Sequence, residues 1–114
     1  MQNSGKSLPI SAAASVVIIA KNEAANLPRC LAALSWCDDV VLVDDHSTDA
    51  SAEIARQYGA RVVTHGFTSF AAQRNWALAE IEFQHDWVVM LDADEVTTPE
   101  FAVAVGPAVR AADM

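Results

Sequence analysis

Two groups of carboxylates stand out by type and spacing: Asp44 and Asp45, which close the apolar run DVVLVD, and Asp92, Asp94 and Glu95, which follow DWVVML. Three acids within four residues repel one another, an arrangement tolerated when a divalent cation or strong donors neutralise it. No His or Cys stands at ligand spacing to them. An oxygen-only set suits magnesium or manganese, which share their coordination with substrate phosphates. Metal-assisted chemistry on a diphosphate is the expectation. For Asp49, and for one of Asp44 and Asp45, capping a helix fits the position equally well, because Asp favours that place for backbone reasons alone.

The elements that must position these acids follow from periodicity. SVVIIA (15–20), DVVLVD (39–44), ARVVTH (60–65) and DWVVML (86–91) read as strands, and their continuous apolar character is that of a parallel sheet covered on both faces. Between them lie three helical patterns. The first presents Leu27, Leu31 and Leu34, with Pro28 in its first turn and Asn26 as its cap. The second is capped by Ser47 or Thr48, turns Ile54, Ala55 and Tyr58 inward, and stops at Gly59. The third starts at Ser69 and turns Phe70, Ala71, Ala77, Leu78 and Ile81 toward the sheet, and Thr98-Pro99 announces a fourth. The expected fold is α/β, in the order β-α-β-α-β-α-β-α, with residues 1–14 as a disordered leader. A strand order of 3-2-1-4 would bring both acidic groups to the carboxyl edge on either side of the first strand, the edge where open α/β sheets bind ligands.

Composition narrows the partners. Fifteen acidic against seven basic residues leave a net charge of −8, which repels phosphate backbones and anionic membranes, so no nucleic acid is expected. No stretch is long enough to span a bilayer, and the early run AAASVVIIA passes directly into KNEAANL rather than into a cleavage site. Cys30 and Cys37, with no second pair, fit neither a disulfide scaffold nor a zinc module, and are expected as reduced thiols. Trp36, Trp76 and Trp87 are expected to pack, and His65 and His85 show no ligand spacing.

Three known patterns compete for the acids. VVMLDADEV satisfies the Asp-x-Asp signature of haloacid dehalogenase phosphatases, but that signature closes the first strand of their core, and three strand-helix units precede it here. VVLVDDH resembles the acid pair of response-regulator receiver domains, with Asp92 at the phospho-accepting place. That reading leaves the first strand-helix unit unexplained and needs a Lys downstream, whereas Lys21 is the last Lys in the chain. The third pattern fits every unit in order. SVVIIAKNEAANLPRCL, VVLVDDHSTDAS, AAQRNWAL and WVVMLDADE together resemble the N-terminal half of a family 2 glycosyltransferase, closest to the enzymes of lipopolysaccharide core synthesis.

The resemblance implies the parallel-sheet, nucleotide-binding half of a GT-A (Rossmann-like) fold and an inverting, metal-assisted transfer from a UDP-sugar. Carried over, Asp94 is the principal ligand of Mg2+ or Mn2+, with Asp92 on the ribose or in the metal's outer shell. Asp44 or Asp45 accepts the uracil N3–H. Ala20, Lys21, Asn22 and Glu23 form the floor of the nucleotide pocket, although Asn22 also suits a turn and Glu23 a helix dipole. Gln73 and Arg74 fall where the family contacts donor phosphate or base. His46 stands where the family usually has Gly, at a turn that Gly tolerates better. No residue after Glu95 matches the family's carboxylate base, which is expected beyond residue 114, so the chain is expected to carry the donor site and to be inactive alone. The implied acceptor is a lipopolysaccharide core or other envelope glycan, met in the cytoplasm or at the inner face of its membrane. The open sheet edge is expected to favour self-association.

Overall fold

The computed structural model describes residues 14–66 and 68–101. Four parallel strands alternate with three helices: β1 (Ser15–Ala20), α1 (Leu27–Ala32), β2 (Val40–Asp44), α2 (Ser51–Gln57), β3 (Arg61–Thr64), α3 (Phe70–Glu80) and β4 (Val88–Asp92). Their order across the sheet is β3-β2-β1-β4, the order that places both acidic groups beside β1. Register makes this specific: Ala20 lies opposite Asp44 on one side of β1, and Ile19 lies opposite Asp92 on the other. Expected residues 1–13 of the leader, and the fourth helix beyond Phe101, lie outside the described residues; its first turn, at 99–101, is helical, and the Thr98 hydroxyl accepts the Phe101 N–H at 3.0 Å.

Side chains alternate across a strand, so an unbroken apolar strand feeds two cores. Val16, Ile18 and Ala20 join Leu42, Ala55 and the α1 residues Leu27, Cys30 and Leu31 on one face. Val17, Ile19, Val41 and Val43 meet Ala77 on the other, with Trp76, Ile81 and Phe83 packed around them. Helices α1 and α2 therefore cover one face and α3 the opposite one, as the strand composition requires.

At the amino edge of the sheet, Asp39 is a structural acid. It is buried, and accepts hydrogen bonds from the Ser15 hydroxyl (2.6 Å), the Gln84 N–H (2.9 Å) and the Arg61 guanidinium (3.0 Å). Burial by itself pushes its carboxyl up, but these hydrogen bonds and the Arg61 charge outweigh burial and hold it below the ordinary value.

Several local expectations are corrected. Asn26 occupies the position before α1, but its side chain donates to Glu23 Oε1 instead of capping. Helix α2 begins later than Ser47 or Thr48 would place it: Ala50 takes the cap position, and Asp49 Oδ1 accepts the Ser51 N–H. Tyr58 is 49% exposed rather than inward, whereas Gly59 ends α2 with φ +86° as expected. Ser69 caps α3 by accepting the Ala72 N–H. That helix is rotated from the expected phase: Ala77 and Ile81 face the sheet, but Phe70, Ala71 and Leu78 are exposed and the polar Gln73 is buried in their place. Trp36 and Trp76 pack as expected; Trp87 is 41% exposed.

His46 adopts φ +50°, the left-handed region that costs a residue with a Cβ about 1 kcal/mol or more. The position is the one at which Gly was expected. Replacing His46 with Gly is expected to raise stability by about 0.5–1 kcal/mol, since relief of strain exceeds the added freedom of the unfolded chain. Chemical denaturation of both proteins checks the sign.

Candidate functional site

The loops leaving β1, β2 and β4 at the carboxyl edge form the candidate site. The first is tied to the second by a dense set of bonds. Asn22, held at φ +55°, donates its N–H to Ser47 Oγ (2.7 Å), and its side-chain oxygen accepts the N–H groups of Thr48 (2.8 Å) and Asp49 (3.3 Å). The Glu23 N–H donates to Ser51 Oγ, and the Ala24 N–H to Asp49 Oδ2. Asn22 is thus the joint between two loops, and the left-handed turn that Asn tolerates makes the joint possible.

A cleft of about 360 Å³ opens beside this joint, lined by Ile19, Ala20, Lys21, Glu23, Phe70, Asp92, Ala93 and Asp94. Five of the residues singled out by sequence, Ala20, Lys21, Glu23, Asp92 and Asp94, therefore share one hollow. Asn22, Asp44, Asp45 and Arg74 do not line it. A slightly larger hollow of about 400 Å³, lined by Leu31, Cys37, Val40 and Tyr58 among others, lies at the far end of the sheet and has Asp38 as its only acid.

The acids differ in what already satisfies them. Asp44 is buried, and its two oxygens accept the Ser47 N–H (3.1 Å) and hydroxyl (2.5 Å), so it is committed to its own turn. Asp45 keeps its carboxylate free of such a turn and lies 3.9 Å from Lys21 Nζ. Asp92 is held above the ordinary carboxylate value by burial first, then by the negative charges of Glu95, Asp94 and Glu23. Its loop is closed locally, Glu95 Oε1 accepting the Asp92 N–H at 2.7 Å and the Asp92 carbonyl accepting the Glu95 N–H at 3.0 Å.

Beneath the loop, burial and the charges of Glu95 and Asp94 push the Cys30 thiol up to about 11. Both cysteines are free thiols. The uncompensated negative potential fits a divalent cation. Among the described residues no three His, Cys, Asp or Glu side chains converge as a ready-made metal cage. Two carboxylates that leave coordination places to water and substrate oxygens are the pattern of magnesium-type sites.

On α3, Arg74 is exposed and, among the described residues, makes no hydrogen bond or ion pair. It lies one turn after Phe70, which the cleft exposes. Gln73 is fully buried and does not line the cleft. Phe70 as a cleft residue was missed because the helix was phased on its apolar residues; the signal lay in AAQRNWAL, whose Gln is the residue that turns inward. Of the three histidines, His85 is paired with Asp38 (2.7 Å) and His65 with Gln73 (2.8 Å).

A family model described as glycosyl transferase family 2 matches residues 15–110. The chain belongs to glycosyl transferase family 2. This glycosyltransferase chain is 37% identical over 87 residues to an uncharacterised glycosyltransferase of Rickettsia felis, covering 75% of the chain and 30% of that protein. It is 33% identical over 93 residues to the lipopolysaccharide core biosynthesis glycosyltransferase LpsC of Rhizobium meliloti, covering 77% of the chain and 32% of that protein. It spans about a third of the length of such relatives.

Among solved structures, Staphylococcus aureus TarS residues 1–349 superposes with a TM-score of 0.74 at 23% identity, over 87% of this chain and 32% of that one. Glucosyl-3-phosphoglycerate synthase of Mycobacterium tuberculosis, in complex with Mn2+, UDP and phosphoglyceric acid, superposes at 0.67 with 26% identity, over 95% and 45%. Both place the glycosyltransferase in the GT-A fold.

The receiver-domain reading fails on topology as well as on family. In the receiver-type order 2-1-3-4-5, the strands carrying the acid pair and the accepting Asp are neighbours. Here β1 separates β2 from β4. Among the described residues no helix is long and apolar enough to cross a membrane.

Proposed function

We propose that this glycosyltransferase chain binds the nucleotide-sugar donor of an inverting transfer in lipopolysaccharide or other envelope-glycan synthesis, with UDP as the nucleotide. The observation that carries the reading is the register: Asp44 and Asp45 on one side of the end of β1, Asp92 and Asp94 on the other, with a hollow of about 360 Å³ between β1 and β4. Three neighbouring parallel strands span about 10 Å, a distance a uridine and its diphosphate can bridge. The carbohydrate assignment leans on the likeness to LpsC, and the nucleotide and metal on the synthase crystallised with UDP and Mn2+.

In this reading Asp94 and Asp92 hold Mg2+ or Mn2+, with Asp94 as the principal ligand. Bound there, the cation would supply positive charge to offset that of the departing nucleoside diphosphate. Arg74 adds a guanidinium to the same oxygens. Asp45, whose carboxylate is not consumed by a turn, accepts the uracil N3–H, while Asp44 shapes the loop beneath it. Ala20 and Glu23 form the floor, and Asn22 fixes that floor to the loop carrying Asp45. We assign the base that removes the acceptor's proton, and the acceptor site, to the part of the relatives that this chain does not span. The work would take place at the cytoplasmic face of the membrane, where nucleotide sugars are available.

Calorimetry with UDP, with and without Mn2+, tests the proposal on the full chain. Saturable binding that requires the metal is expected. Heat that is absent, or equal with and without Mn2+, in a chain whose circular dichroism is folded, overturns it.

A further inference from the structure

Among the described residues, Gln73 is the largest polar side chain that is fully buried. Burying an amide carries a desolvation cost that is recovered only when each polar atom is paired. Both of its atoms are paired with one residue: Gln73 Nε2 donates to the His65 carbonyl (2.5 Å), and Gln73 Oε1 faces His65 Nδ1 at 2.8 Å. Because the amide oxygen can only accept, His65 Nδ1 carries the proton.

His65 is itself fixed twice more. Its N–H donates to the Asp44 carbonyl at 3.0 Å, and its ring stacks on Trp76 with centroids 3.7 Å apart and planes within 10°. Gln73 and Trp76 are three residues apart on α3 and so share a face. A leucine at position 73 would fill the space, but it would not fix the height and rotation of the helix against the ends of β2 and β3 as two directional bonds do.

The residue after Gln73 is Arg74, about 100° round the helix, with Phe70 one turn before it at the mouth of the cleft. We propose that the His65–Gln73–Trp76 clamp is a positioning device for anion binding: it sets the rotation of α3 that aims Arg74 at the donor diphosphate. Gln73 touches no ligand and acts through Arg74. This inference rests on the donor-binding reading above.

A double-mutant cycle on the full chain tests it, read as the dissociation constant for UDP with Mn2+ and with folding checked by circular dichroism. Arg74→Ala is expected to weaken binding about tenfold, the loss of a charged bond to phosphate. Gln73→Met, close in size but unable to form either bond, is expected to weaken it by a similar factor when Arg74 is present. In the Arg74→Ala background Gln73→Met is expected to change affinity by less than about twofold, because the residue it positions is gone.

Equal losses in both backgrounds, or wild-type affinity for either single variant, overturn the clamp. Should Gln73→Met not fold, Gln73→Glu, which keeps the acceptor for His65 Nδ1–H and loses the donor to the carbonyl, is read in the same way. A wild-type chain that binds no UDP overturns the donor-binding reading and this inference together; a binding wild type with an unaffected Gln73 variant overturns this inference alone.

Discussion

Replacing Asp94 with Asn is expected to weaken Mn2+-dependent UDP binding by on the order of 100-fold or more, which at 25 °C is about 2.7 kcal/mol. In the proposed site a hard divalent cation would lose one of its two carboxylate ligands in this variant, and the amide that replaces it brings no charge. The substitution leaves the fold intact, because the Asp94 side chain forms no hydrogen bond among the described residues; the loop is closed instead by Glu95 and the backbone of Asp92. Asp92→Asn is expected to weaken binding in the same direction. Calorimetric titration of UDP at fixed Mn2+ measures both, and Glu23→Gln, which removes a charge from the cleft floor without removing an assigned ligand, is expected to fall well short of them. An Asp94→Asn chain with unchanged affinity would remove the metal from the donor site.

The largest effect on stability is expected at the opposite edge of the sheet. Asp39→Ala strips the acceptor from the Ser15 hydroxyl, itself fully buried, and from the Gln84 N–H. Leaving such groups unpaired costs about 1–3 kcal/mol each, so a total loss of about 2–6 kcal/mol is expected. The Arg61 partner contributes less: its side chain is 45% exposed, and Arg61→Ala is expected to cost under about 1 kcal/mol. Urea unfolding of the two variants separates these contributions.

The pH dependence has a fixed sign. The Asp39 carboxyl titrates below its unfolded value in the folded protein, so its contribution is present above about pH 4, the ordinary carboxylate range, and is lost as pH falls through the lower folded value. Asp39→Asn is expected to flatten that acid limb. A variant whose stability falls with acid as steeply as the wild type would show that other acids govern the decline.

Much of this was legible because it depends on short-range rules. Strand positions came from β-branched runs, and Gly59 and Ser69 marked a helix end and start by local backbone chemistry. The acids were found for the same reason, since repulsion among Asp92, Asp94 and Glu95 is a property of their spacing alone. Capping was misread at α2. Ser47 and Thr48 have the chemistry of caps but spend it elsewhere, Ser47 on Asp44 and the Asn22 N–H, and the Thr48 hydroxyl on the Asn22 side-chain oxygen. Those are partners more than twenty residues away in the case of Asn22, and no local rule supplies them.

Helix α3 marks the same boundary more sharply. Its existence and its cap were determined locally, yet its phase was not, because an apolar residue such as Phe70 or Leu78 has no reason to face outward until the site of burial is known, and Gln73 has none to face inward until His65 supplies both of its bonds. The α/β alternation, the apolar strands and the two acidic groups at strand ends each depend on neighbours within a few residues, and so could be read locally. Three-dimensional packing settles that β1 lies between β2 and β4, that Asp44 is consumed by its turn while Asp45 is not, and which face of α3 meets the cleft. Those outcomes depend on pairing across long stretches of chain, where hydrogen-bond partners and the limited space beneath the sheet select one arrangement among several that local preference allows.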